Sequence, residues 1–288
     1  MVQVVDETET DLRALIARDL GTLPSADFLS SLVDWLHFRA RSVPQRPRNV
    51  IMSPEVQAKF YTYPAIPKIS DELAQGKDVS PWLSDSVRKR PADPKADMMF
   101  NDWQIIHFHL GNLFVGKNKI GRTDELLFTF IGDAHAVLLD VQPHGSWAMR
   151  NLLRILLRVS PNDLARRELK GILGGPRDYT DDEILGLRQA GMNAMLEIDG
   201  RFFMAPGMGV SSSKHSTRIV LATQAVMRNI VKARNELENN TIPKPLLRRI
   251  SQSIGTPVRL GVRLKAGQLM LYDKNRNLDV TPLMPIST

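Results

Sequence analysis

The spacing of apolar and polar residues changes period along the chain. Leu12, Leu15, Ile16 and Leu20 recur at helical spacing and predict an amphipathic helix over 7–20. Phe28, Leu29, Leu32, Val33, Leu36 and Phe38 predict a second over 25–41, opened by Ser25 and Asp27 and closed before Pro44 and Pro47. Residues 53–75 keep this period in two pieces, broken by Pro64 and Pro67. Residues 76–101 lose it; Gly76, Pro81, Pro91 and Pro94 mark them as a surface loop or linker. From Trp103 the period becomes two, predicting strands over 103–110, 124–131 and 135–142, the last two joined at Gly132-Asp133. A helix rich in Leu and Arg is expected over 147–158, then a flexible joint from Gly171 to Pro176. Thr180 and Glu183 have capping-box spacing. A hairpin over 194–198 and 201–205, a helix over 217–238 and strands over 257–264 and 268–272 complete the pattern. This order predicts an α+β fold in three parts. They are a helical N-terminal region over 1–100, a small antiparallel sheet with a flanking helix over 101–170, and a basic α+β region over 177–288.

Composition narrows the classes. The chain has no cysteine, which excludes disulfides, thiolate catalysis and Cys-based zinc sites. It has no apolar run of 18 residues, so no membrane span is expected, and its first residues carry no signal-peptide core. A cytoplasmic protein fits these features. Charge is unevenly divided: residues 1–149 hold 16 Lys+Arg against 19 Asp+Glu, whereas 150–288 hold 22 against 12. A basic half of this kind is the usual electrostatic footprint of a nucleic-acid contact. Arg150, Arg154 and Arg158 recur every fourth residue and would line one helix face as a basic stripe.

Four of the six histidines fall between Asp102 and Trp147. In a strand, residues two apart share a face, so His107 and His109 point one way and Ile106, Phe108 and Leu110 the other. With the apolar face turned inward, the two imidazoles are expected on the open face. Three readings of this segment stand side by side. Metal-free RNA cleavage needs a base for the ribose 2′-hydroxyl, an acid for the leaving oxygen and a cation for the phosphate. His107, His109, Asp124 and His144 would supply acid and base, Arg122 the cation, and Trp147 a surface for a base to stack on. A metal site would draw on His107, His109, Asp140 and His144. In the third reading the histidines are structural, and this is the one favoured for His135. The loop over 206–216 is glycine-rich but lacks the ending of a phosphate loop. Helix amides after it, with Lys214 and His215, offer an anion contact, but a helix N-cap made by Ser216 and its neighbours is the favoured reading.

The segments His107-Phe108-His109, Asp124-Glu125-Leu126-Leu127-Phe128-Thr129-Phe130 and Pro143-His144-Gly145-Ser146-Trp147 resemble the core of the RelE-type bacterial toxins, in particular the YafQ-like branch. The resemblance covers about 45 of the 288 residues. It departs from the family pattern in the 14 residues between His109 and Asp124 and in Glu125, where the family has Trp. It implies a small antiparallel sheet with a flanking helix. The activity it implies is that of an endoribonuclease, free or ribosome-dependent, with His107 or His109, Asp124 and His144 as the acid–base set. No cofactor is expected. The expected partners are RNA, the ribosome and an antitoxin protein, in a toxin–antitoxin or phage-defence setting, with Arg150, Arg154, Arg158 and Lys214 holding the RNA backbone. A non-catalytic nucleic-acid- or ribosome-binding factor and a metal-dependent hydrolase remain as alternatives.

Overall fold

The computed structural model describes residues 2–89, 98–116, 119–146, 149–172, 178–190, 192–205, 209, 211, 215–251 and 256–285. In chain order the first elements are β1 (Val4–Asp6), α1 (Thr8–Leu20), α2 (Phe28–Arg41), β2 (Asn49–Met52), α3 (Pro54–Lys59) and α4 (Ala65–Gln75). A 3₁₀ turn (Ser80–Trp82), α5 (Ser86–Lys89) and α6 (Met98–Trp103) lead to β3 (Ile105–His109), β4 (Phe114–Gly116), β5 (Lys119–Ile120), β6 (Glu125–Ile131) and β7 (His135–Pro143). Then come α7 (Arg150–Val159), α8 (Pro161–Ala165), β8 (Glu168–Leu169), α9 (Asp181–Gln189), β9 (Met195–Ile198), β10 (Arg201–Met204) and α10 (Thr217–Glu238). The last elements are α11 (Lys244–Ser251), β11 (Val258–Lys265), β12 (Gln268–Asp273) and β13 (Leu278–Pro285).

The fold is α+β, but the compact units do not follow the three expected parts. One unit joins the residues up to Ala40 with those from Ile219 onward; the other runs from Arg41 to Arg218. The reason is pairing between distant segments. β1 is parallel to β11, Val4 opposite Val258, and β12 and β13 extend the same sheet antiparallel. The N-terminal region is therefore not purely helical. In this first unit Asp27 accepts the Ser30 N–H at 2.7 Å and so starts α2. Trp35 is fully buried, with its indole N–H donated to Asp19 at 2.9 Å.

The second unit is built on a four-stranded sheet in the order β2-β7-β6-β3. The three expected strands form its antiparallel part, and β2 adds a parallel strand against β7. α7 turns Leu152, Leu153, Ile155, Leu156 and Leu157 toward Leu126, Phe128, Phe130, Val137 and Leu139 of the sheet. Each fully buried aliphatic side chain of this kind contributes about 1.5–3 kcal/mol. Ile184 of α9 and Leu196, Ile198 and Phe203 of the three-stranded sheet β8-β10-β9 join the same core. The opposite face, with Ile106, Phe108, Leu127 and Leu138, is also buried. α3 packs on β7 and α4 on β2. α4 ends at Gly76, whose φ of +71° suits glycine and where a Cβ would stand 2.4 Å from the Pro47 nitrogen. Thr180 and Glu183 make the expected capping box on α9. Trp103 does not begin a strand: it ends α6, and Gln104 at φ +62° turns the chain into β3.

Candidate functional site

Register brings one end of three strands together. His109 lies opposite Leu126, and Glu125 opposite Pro143, so the end of β3, the start of β6 and the end of β7 coincide. His144 follows Pro143, and its N–H donates to the Asp124 carbonyl at 2.6 Å. Thr123 ties the preceding loop to the strands: its hydroxyl accepts the Leu110 N–H at 2.9 Å and donates to the Glu125 carbonyl at 2.6 Å. Gly111 has no room for a side chain, because a Cβ there would stand 2.2 Å from the Gly121 carbonyl oxygen. Arg122, Asp124 and His144 are all exposed, and an Arg122 Nη2 donates to Ser84 Oγ at 3.4 Å.

The open face expected for the two strand histidines is covered. His107 is 4% exposed and His109 3%. Opposite residues of an antiparallel pair share a face, and His107 and His109 sit opposite Phe128 and Leu126, which belong to the core under α7. The two imidazoles stand edge to face with centroids 6.1 Å apart, and His107 is also 6.1 Å from the Phe128 ring. His109 Nδ1 accepts the Thr123 N–H at 3.4 Å, which assigns the neutral ring's proton to Nε2. That Nε2 is buried with no hydrogen-bond partner among the described residues. Burial, and then the nearby charges of His107, Arg122 and His144, push the His109 pKa down to about 4. The same interactions place His107, Arg122 and His144 within electrostatic reach of His109.

The depressed pKa has a consequence for stability. The unfolded chain binds the His109 proton near pH 6.5 and the folded protein near 4. Stability from this group is therefore complete above about pH 6.5 and is lost as pH falls through that window, by up to about 3 kcal/mol. Urea unfolding of the parent protein should show this loss between about pH 7 and pH 4.5. His109→Asn should lose that much less over the same range. An equal loss in parent and variant would overturn the assignment to His109.

Other candidates are placed differently. Asp140 is 4% exposed; it accepts Lys59 Nζ at 2.8 Å and the Val141 N–H at 2.7 Å. Among the described residues, no group of three or more His, Asp or Glu comes together so as to hold a metal ion. The arginine stripe faces carboxylates of its own chain. Arg150 pairs with Asp178 and, at 3.1 Å, with Asp181; Arg154 lies 3.4 Å from Asp199 and Arg158 2.6 Å from Glu55. His135 has the structural role expected of it, with Nε2 2.8 Å from Asp163 Oδ2. Trp147 and Lys214 lie outside the described residues.

Sequence reasoning missed three residues of this region: Thr123, Lys59 and Tyr63. Partial desolvation, and then the neighbouring Glu125 carboxylate, raise the pKa of the Tyr63 hydroxyl. Thr123 lay inside the segment that was singled out, but a hydroxyl in a loop gives no periodic signal. Lys59 and Tyr63 reach the strand ends from α3 and just beyond it, more than 60 residues earlier in the chain, and nothing local marks them. Among the described residues no helix is long and apolar enough to cross a membrane. Comparison with protein-family models, characterised proteins and solved structures finds no match to this chain.

Proposed function

We propose that the second unit carries a RelE-like, metal-free endoribonuclease site, acting in a toxin–antitoxin or phage-defence setting. One observation carries this reading: the strand ends gather His107, His109, Arg122 and His144, with His144 and Arg122 open to solvent. Exposed His144 is the group that exchanges protons with the RNA. Histidine suits this task because its ordinary pKa lies near neutrality. Arg122 meets the phosphate and balances the charge that grows on it. Asp124, tied through its carbonyl to the His144 amide, holds the loop that presents both. His109, kept neutral by burial, is a positioning residue at neutral pH, and His107 packs against it. The exposed arginines of α7 contribute to RNA binding only where their internal ion pairs open.

The reading is tested by incubating the purified protein with labelled RNA, with and without ribosomes, in excess chelator. Cleavage leaving 2′,3′-cyclic phosphate ends is the expected result, because the 2′-oxygen displaces the 5′-oxygen on phosphorus. Salt-sensitive binding without cleavage would instead assign a non-catalytic RNA-binding factor. Cleavage that appears only with added divalent ions would assign a metal-dependent hydrolase.

A further inference from the structure

Arg218, Arg167, Ser216 and Phe100 all belong to the second unit. The Arg218 guanidinium carbon stands 5.1 Å over the Phe100 ring. Its Nε and Nη2 are sealed from solvent and meet no acceptor among the described residues. The Ser216 hydroxyl, fully buried, is also without a partner there. No carboxylate among the described residues pairs with Arg218.

A guanidinium held this way is costly. Arg218 as a whole is half-buried, but its sealed Nε and Nη2 have lost their water partners, a penalty that a single cation–π contact does not offset. Loss of the proton does not relieve it. Burial, and then the neighbouring Arg167, push the Arg218 pKa down only to about 10, so the charge persists at neutral pH. Arg167 brings a second positive charge to the same corner. Its Nη2 donates to Gln104 Oε1 at 2.8 Å, its Nη1 to the Trp103 carbonyl at 3.4 Å, and its guanidinium lies 5.8 Å over the Phe130 ring. Two guanidiniums and an idle hydroxyl donor have one chemical complement in common, which is a compact anion with several acceptor oxygens.

We infer that this corner binds a phosphate-type oxyanion, with Arg218 as its principal cation and Ser216 as a neutral donor. The inference does not depend on the nuclease reading, since none of these residues belongs to the histidine cluster. Free phosphate and the phosphate of a nucleotide share this chemistry. Planar, forked guanidinium donors suit either one.

The test uses the full chain at constant ionic strength, with chloride replaced stepwise by inorganic phosphate. A ligand of the folded state raises the melting temperature in proportion to the logarithm of its concentration. The parent protein should show that rise. Arg218→Met should bind phosphate about 10–100-fold more weakly. In chloride it should melt no lower than the parent, because the unpaired charge is gone. A parent melting curve indifferent to phosphate, or an equal rise in Arg218→Met, would overturn the inference. Broadening of the ³¹P resonance of phosphate by the parent protein is expected whether or not the variant folds, and its absence would also overturn it. Displacement of phosphate by a 5′-phosphorylated dinucleotide would identify a nucleotide phosphate as the source, and failure to displace it would identify free phosphate.

Discussion

Asp102→Ala is expected to lower the unfolding free energy by about 3–5 kcal/mol, the cost of breaking a buried ion pair by removing one member. Asp102 Oδ2 lies 2.5 Å from Arg188 Nε, and the two side chains are 6% and 8% exposed. Burial raises the Asp102 pKa and lowers that of Arg188, and each partner opposes the shift of the other. Arg188 Nη1 also faces the Met99 sulfur at 3.8 Å, and a thioether is a weak acceptor. The pair joins α6 to α9. Replacing both members by apolar residues, as Asp102→Leu with Arg188→Met, should recover most of the loss, since no charge is then stranded. Urea denaturation of the two single variants and the double variant measures this directly. A cost under about 1 kcal/mol for either single variant would mean that the pair behaves like an exposed one.

His144→Ala is expected to reduce RNA cleavage by about 10²–10⁴-fold, the range for losing a positioned proton-transfer group. Its side chain is exposed and its backbone bond to Asp124 does not involve the imidazole, so the loop contact survives the substitution. Arg122→Ala should also slow cleavage strongly, by about 10²–10³-fold, if its charge meets the phosphate in the transition state. His109→Asn should show a different signature: altered acid stability, with an effect on cleavage that follows from a disturbed site. Cleavage undiminished in His144→Ala would place the chemistry elsewhere. Unfolding curves recorded beside the assays separate loss of chemistry from loss of fold.

Much of the second unit was legible because alternation and turn residues are local signals. The β6–β7 hairpin announced itself through two alternating runs around Gly132-Asp133, and α7 through five leucines and isoleucines on one stripe. The edge strands β1 and β2 were not legible. Each is short and pairs in parallel with a strand far along the chain, so neither carries a turn that would reveal it. The shared direction of His107 and His109 followed from the period of a strand, whereas the identity of the open face did not. A strand covered on both sides places polar groups inside with the same period as outside. Only its partners Phe128 and Leu126, and the helix laid over them, decide which case applies. Ion pairs such as Asp102–Arg188 and Lys59–Asp140 span 86 and 81 positions and leave no periodic trace.

The parallel pairing of Val4 with Val258 also sets an order of events during synthesis. At about 5–20 residues per second, tens of seconds pass between the emergence of the first strand and that of its partner. Over that interval the central segment from Arg41 to Arg218 is already complete in sequence. The second unit is therefore free to fold on the ribosome while α1 and α2 still wait with an unpaired strand beside them. A nascent chain stalled just after Arg218 would carry the histidine cluster in full before the other unit exists.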